Sequence, residues 1–301
     1  MALFHTGLKE AELRRAVSEK FSMIVILKEK EKLLTVADSN FTAFLLKSDA
    51  RFRSGESNIL EKATAENQLA HIRLQLISLQ EELDLARLEF QLLLNTEVNL
   101  DPSAETARFP LIVTEDSLIL SSHPILKITE QQQSIARGIT KLERSKLIPE
   151  INLGYFNSSM RGTGADDIYY PRESRFSSIE FGIGIPLFFG SQSAKIRASG
   201  VNELIAENNH RLQSQSLNME YQSALIQYKS RLQKLNYFEL SGLSNAKLIS
   251  DAASLQFASG EINYLDWVQL NNQAYAIQND YLEALSLLNE SIVLINYLTS
   301  K

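Results

Sequence analysis

The side chains able to hold a metal or move a proton are few and scattered. Four histidines, His5, His71, His123 and His210, have no partner at ligand spacing, and the chain contains no cysteine. Disulfides, thiolate metal sites and cysteine nucleophiles are therefore excluded, and no dedicated metal site is expected. The adjacent carboxylates Asp166 and Asp167 could meet a cation, but in a loop such a pair is usually just solvated. Gly162-x-Gly164 falls in a loop pattern and Gly182-x-Gly184 in a strand pattern, so neither opens the helix that a phosphate cradle requires. HExxH, GxSxG and P-loop patterns are absent. These residues describe neither an enzyme nor a cofactor protein.

The elements carrying them are long. The chain has 12 glycines and 6 prolines in 301 residues, and all six prolines (Pro102, Pro110, Pro124, Pro149, Pro171, Pro186) fall in one central stretch. Residues 1–101 and 187–301 contain no proline, which predicts two helical arms around a broken middle. The 30 basic and 36 acidic residues give a net charge of −6 without a long basic run, so no nucleic-acid partner is expected. No apolar run approaches the roughly 20 residues of a transmembrane helix. The opening MALFHTGLKEAELRRA lacks the apolar core of a secretory signal, as expected of a cytosolic protein or a piece of a longer one.

Apolar residues recur at steps of 3 and 4 in three segments. Leu69, Ile72, Leu76, Leu79, Leu83, Ala86, Phe90 and Leu93 form one seam. Leu217, Tyr221, Leu225, Tyr228, Leu232 and Leu235 form a second. Trp267, Leu270, Ala274, Ile277, Tyr281, Ala284, Leu288, Ser291, Ile295 and Leu298 form a third. Further helices are expected over about 8–50 and 118–148, and one from Ser191 to about Ser250 with weak points at Gly200 and Gly242. Periodicity alone favours a generic coiled coil or an all-α bundle.

The middle alternates instead. Ile151, Leu153 and Tyr155 share one face of a strand over 149–160. Ile179, Phe181, Ile183, Ile185 and Leu187 share one face of another over 176–187. Their opposite faces carry glycine and small polar residues, apart from Phe156, Glu180 and Pro186. This is the pattern of an outer-membrane barrel strand, although a hairpin packed on a helix would also produce it. Pro149 and Pro186 mark the junctions between helix and strand. One hairpin cannot close a barrel, so other chains or further strands are needed. Tyr155, Tyr169, Tyr170, Phe188 and Phe189 fall near strand ends, as girdle or as packing residues.

The chain also repeats itself. Phe52-x-Ser54-Gly55-Glu56-x-Asn58-x-Leu60 recurs 205 positions later as Phe257-x-Ser259-Gly260-Glu261-x-Asn263-x-Leu265, each copy leading into a heptad helix. Leu3-Phe4-x-x-Gly7 likewise matches Leu187-Phe188-x-Gly190. The expected organisation is a first helical repeat over 1–148 with an irregular linker at about 95–123, a membrane hairpin over 149–187, and a second helical repeat over 188–301. The first repeat lacks a counterpart of the hairpin, so an upstream hairpin is expected to be missing.

These motifs together resemble the TolC-like outer-membrane efflux proteins. The resemblance rests on the repeated halves, the strand entry Pro149-Glu150-Ile151-Asn152-Leu153-Gly154-Tyr155, the exit Gly184-Ile185-Pro186-Leu187-Phe188-x-Gly190, and the two glycine turns. Ser122-His123-Pro124, opening a helix after the linker, looks like the CusC and CzcC heavy-metal branch. The resemblance implies a mainly helical fold of long antiparallel hairpins, with a β-hairpin that joins a trimeric outer-membrane barrel. It implies a passive export duct reaching into the periplasm, fed by a periplasmic adaptor and an inner-membrane pump of the resistance-nodulation-division type. The turn residues 52–60 and 257–265 would meet the adaptor, Asp266 with Gln269 would line the aperture, and Ile151, Leu153, Tyr155, Ile179, Phe181, Ile183 and Ile185 would face lipid. For Asp266, a solvated surface residue is an equal reading. The competing classes are a periplasmic adaptor and a coiled-coil scaffold without channel activity.

Overall fold

The computed structural model describes every residue except Met1, Asn99, Glu105, 113–119, Ser121, Met160, 186–188 and Lys301. Its elements are α1 (Ala2–Arg53), α2 (Ile59–Leu93), α3 (Pro124–Ser145), β1 (Glu150–Ser158), β2 (Gly162–Thr163), β3 (Tyr169–Tyr170), β4 (Phe176–Gly184), α4 (Phe189–Tyr237), α5 (Leu243–Ser259) and α6 (Tyr264–Leu298). Two units are distinct, one of residues 126–214 and one of residues 2–125 with 215–301.

In the second unit α1 packs against α2 and α6, and α6 packs against α5. The α2 seam behaves as its spacing predicts: Leu69, Ile72, Leu79, Leu83, Ala86 and Phe90 are buried, with Leu76 and Leu93 half-buried. On α6 the seam residues Trp267, Ala274, Ala284, Leu288, Ser291, Ile295 and Leu298 are buried, and so are Leu282, Leu285 and Ile292 beside them. That wider stripe reflects neighbours on two sides, because α6 lies against both α1 and α5.

The segment between α2 and α3 is irregular where described, yet it is firmly held. Asn289, fully buried on α6, accepts from the Phe109 amide at 3.0 Å and donates to the Ala107 carbonyl at 2.7 Å and to Ser22 Oγ at 3.0 Å. Lys28 Nζ reaches Asp101 and the Pro102 carbonyl at 2.7 and 2.8 Å, and Arg87 adds a second cation to Asp101. The Lys28 hydrogen bond is the main reason that the Asp101 carboxyl sits below its ordinary range. Ala107, Phe109 and Leu111 pack on a core of Ile26, Leu235, Leu285, Leu288 and Ile292.

Two of the expected helices differ in extent or continuity. The helix expected over 118–148 spans Pro124–Ser145. Proline lacks the amide that a first helical position does not need, which suits Pro124 to that start; residues 118, 119 and 121 lie outside the described residues. The helix expected from 191 to 250 is interrupted by one π turn, Phe238–Gly242. A Cβ at Gly242 would stand 2.9 Å from Phe238 Cδ1, so the widened turn needs glycine there.

In the first unit β1 and β4 form an antiparallel ladder from Glu150↔Gly184 to Ser158↔Phe176. Ile185 lies just past its end, and the junction at Pro186 lies outside the described residues. The short pair β2 and β3 extends the loop end of the hairpin. Beside the ladder's other end, Gln192 of α4 donates to the Glu143 carbonyl and carboxylate of α3 at 2.7 and 2.9 Å.

Candidate functional site

Register gives the hairpin its chemistry. Ile151 pairs with Ile183, Leu153 with Phe181 and Tyr155 with Ile179, so three apolar pairs share one face of the ladder. These six side chains remain 59–77% exposed, and Ile185 beside them is exposed as well. The opposite face pairs Asn152 with Gly182, Gly154 with Glu180 and Phe156 with Ser178. A ladder with one apolar and one small, polar face, neither covered by its own chain, is suited to lipid on one side and water on the other. Among the described residues no helix is long and apolar enough to cross a membrane.

The two glycine turns share one backbone design. Gly55 and Gly260 adopt φ of 77° and 80°, a left-handed conformation that costs side-chain-bearing residues about 1–2 kcal/mol. Ser54 and Ser259 each donate to the carbonyl three residues back, at 3.0 and 3.1 Å. Asn58 caps α2 by accepting from the Glu61 amide at 3.1 Å, and Asn263 caps α6 by accepting from those of Leu265 and Asp266 at 2.8 and 3.1 Å. The turns contribute to one open groove of about 720 Å³ lined by Lys47, Arg51, Glu56, Glu61, Glu261 and Asp266, with Phe257. Leu60 and Leu265 are exposed beside their turns, whereas Phe52 is partly exposed and Phe257 is buried. Asp266 and Gln269 stand exposed on the first turns of α6.

Sequence reasoning missed the anchor at Glu61 and, although it set Trp267 on the α6 seam, the aromatic cluster that this residue joins. Glu61 is buried, its carboxylate accepting from Arg51 Nη1 at 3.0 Å, Ser57 Oγ at 2.6 Å and Ser48 Oγ at 3.4 Å. Trp267 stacks on Phe44 at a centroid distance of 4.4 Å and also meets Phe41 and Phe257, at 5.3 and 5.8 Å. The unmatched Lys62/Trp267 pair in the repeat was the available signal for the cluster, since a tryptophan replacing a lysine marks a change from solvent to core.

Among the described residues, the side-chain hydrogen-bond partners of His71 and His210 are Gln75 and Thr129, at 3.2 and 2.8 Å. His123 is buried edge-on against Tyr297, and burial pushes its pKa below the ordinary 6.5. Among the described residues no group of three His, Asp or Glu side chains could hold a metal ion. Asp166 is occupied, accepting from Tyr170 Oη at 2.6 Å. Of the expected girdle residues, Tyr155, Tyr169 and Phe189 are exposed, Tyr170 packs on Phe176, and Phe188 lies outside the described residues.

The family model for outer membrane efflux proteins matches residues 117–298. No curated protein matches the sequence significantly. Among solved structures, the outer-membrane channel OprN superposes with a TM-score of 0.88 at 18% identity, over 99% of this chain and 68% of that one. CusC gives 0.87 at 17% identity, over 98% and 70%. VceC from Vibrio cholerae gives 0.82 at 13% identity, over 99% and 74%. The folds therefore agree, helical hairpins with small antiparallel strand pairs. With the family match spanning more than half of its length, the chain belongs to the outer membrane efflux protein family, whose members are channels and not enzymes.

Proposed function

We propose that the chain forms one protomer's share of the wall of a passive export duct in a tripartite efflux system, with its hairpin in the outer membrane and its helices in the periplasm. The observation that carries this reading is the register of β1 and β4, which sets six apolar side chains together on one uncovered face. Neither an adaptor nor a coiled-coil scaffold needs such a face.

The helical layer supports assembly. Its edge helix α2 exposes Leu74, Ile77, Leu85, Leu88 and Leu92, and the other edge exposes Leu240, Leu248 and Leu255. Mating one edge with the opposite edge of the next copy would be a head-to-tail contact, the kind that builds a ring when its rotation closes. TolC-like channels are trimers, and a homotrimer is the assembly assigned here. The turns at 52–60 and 257–265 would dock a periplasmic adaptor, through Leu60, Leu265 and a groove with charges of both signs. Asp266, with Gln269 a turn further on, would line the aperture, where three carboxylates would favour cations. The pump partner is of the resistance-nodulation-division type. The cargo, organic compound or metal ion, is left to the pump.

Outer-membrane fractionation of the protein expressed from its full reading frame, with crosslinking to count subunits, tests the reading. A trimer in the outer-membrane fraction is expected, and a soluble monomer overturns it. In planar bilayers Asp266→Asn should lower cation selectivity; unchanged selectivity removes Asp266 from the aperture.

A further inference from the structure

The apolar face of the hairpin does not end abruptly. Beyond Tyr155 and Ile179 the same face continues with the pair Asn157↔Ser177, and alternation brings Arg175 next, one residue before β4 begins. These side chains form one hydrogen-bonded chain. Tyr155 Oη lies 3.1 Å from Ser177 Oγ, Asn157 Nδ2 donates to both oxygens at 3.2 and 3.0 Å, and Arg175 Nη1 donates to Asn157 Oδ1 at 3.2 Å. From Ile183 toward the loop, one face thus reads aliphatic, aromatic with a polar tip, amide and hydroxyl, then guanidinium, over roughly 26 Å of strand at about 3.3 Å per residue. Arg175 is exposed, and among the described residues no carboxylate pairs with it. The loop's own acidic groups are committed elsewhere or unpaired: Asp166 holds Tyr170, while Asp167 and Glu173 make no ion pair among the described residues.

We propose that Arg175, aimed by Asn157, binds the phosphate of anionic lipid headgroups in the outer leaflet and fixes the depth of the hairpin. The proposal rests on the reading of β1 and β4 as membrane strands. Tyrosine suits the boundary because its ring lies in the apolar band and its hydroxyl in the wet zone. Asn157 then holds one edge of the guanidinium and leaves the remaining donors for a phosphate, which arginine engages through two parallel hydrogen bonds.

The test places the protein from its full reading frame in nanodiscs of phosphatidylcholine containing either bisphosphorylated lipid A or the same lipid with its phosphates removed, and counts retained lipid by native mass spectrometry. Preferential retention of the phosphorylated lipid is expected. Arg175→Gln should reduce it roughly fivefold, the factor one arginine supplies near an anionic surface. Arg175→Lys should restore part of the loss, Arg144→Gln on α3 should leave retention unchanged, and millimolar inorganic phosphate should not compete. Equal retention of the two lipids, a glutamine variant that behaves as wild type, or displacement by free phosphate overturns the proposal alone. A protein that stays out of the bilayer overturns the membrane reading with it.

Discussion

The two glycine turns have the same backbone and opposite means of fixing it. At the first, Glu61 is buried among Arg51, Ser57 and Ser48, Lys62 and Arg53 converge on Asp49 at 2.7 and 2.8 Å, and Phe52 stays partly exposed. At the second, each counterpart 205 residues on has changed: Asp266 for Glu61, Gln256 for Arg51, Ile262 for Ser57, Ala253 for Ser48 and Trp267 for Lys62. Phe257 is drawn inside against Phe44 and Trp267, with Lys47 over its ring at 4.7 Å. The first turn is held by charge and the second by aromatic packing. The carboxylate that the first turn buries for its own structure is thereby left exposed to water at the second.

This contrast can be broken from either side. The largest effect should follow from Trp267→Ala, which empties the aromatic cluster and should cost about 3–5 kcal/mol, read by chemical unfolding and by faster hydrogen exchange in α5 and α6. Glu61→Gln removes the buried carboxylate facing Arg51 and should cost roughly 2 kcal/mol. The matched Asp266→Asn should stay within about 0.5 kcal/mol of wild type; equal losses at the two positions would erase the distinction. Gly55→Ala and Gly260→Ala should each cost about 1–2 kcal/mol and should match one another, because φ is nearly equal and no atom crowds either site within 4 Å.

Acid gives the mildest test. Hydrogen bonding to Lys62 holds the Asp49 carboxyl below its ordinary 3.8, with Arg53 adding to the effect. A folded-state pKa below the unfolded value contributes stability above about pH 3.8, lost as pH falls toward the folded value. Position 254, the counterpart of Asp49, is Ser254. Pepsin cleavage between pH 5 and 2 should therefore rise at the first turn relative to the second, and Asp49→Asn should flatten that ratio.

Much of this was legible in the chain. Heptad spacing located the seams of α2 and α6, because a helix presents every third and fourth residue to one neighbour whatever that neighbour is. The repeated asparagine and glycine named the turns, since the cap and the left-handed residue are local requirements. Alternation located both strands within two or three residues of their ends. What stayed hidden depends on distant partners. The second stripe of α6 is buried only because α1 and α5 flank it, and Asn289 acquires its role from Ala107, Phe109 and Ser22, which are far away in sequence.

The order of residues is enough to set the repeat, the turns, the period of each helix and which strand residues share a face, because these follow from local backbone geometry. That Ile151 meets Ile183 and Tyr155 meets Ile179 came from the fold, since register is a choice between sets of contacts and a slip of one residue would set the apolar side chains of one strand beside the polar face of the other. The fold also decided which of two aligned carboxylates is buried. Glu61 and Asp266 occupy the same place in the repeat, and only the side chains brought around them by packing make one a structural anchor and leave the other facing water.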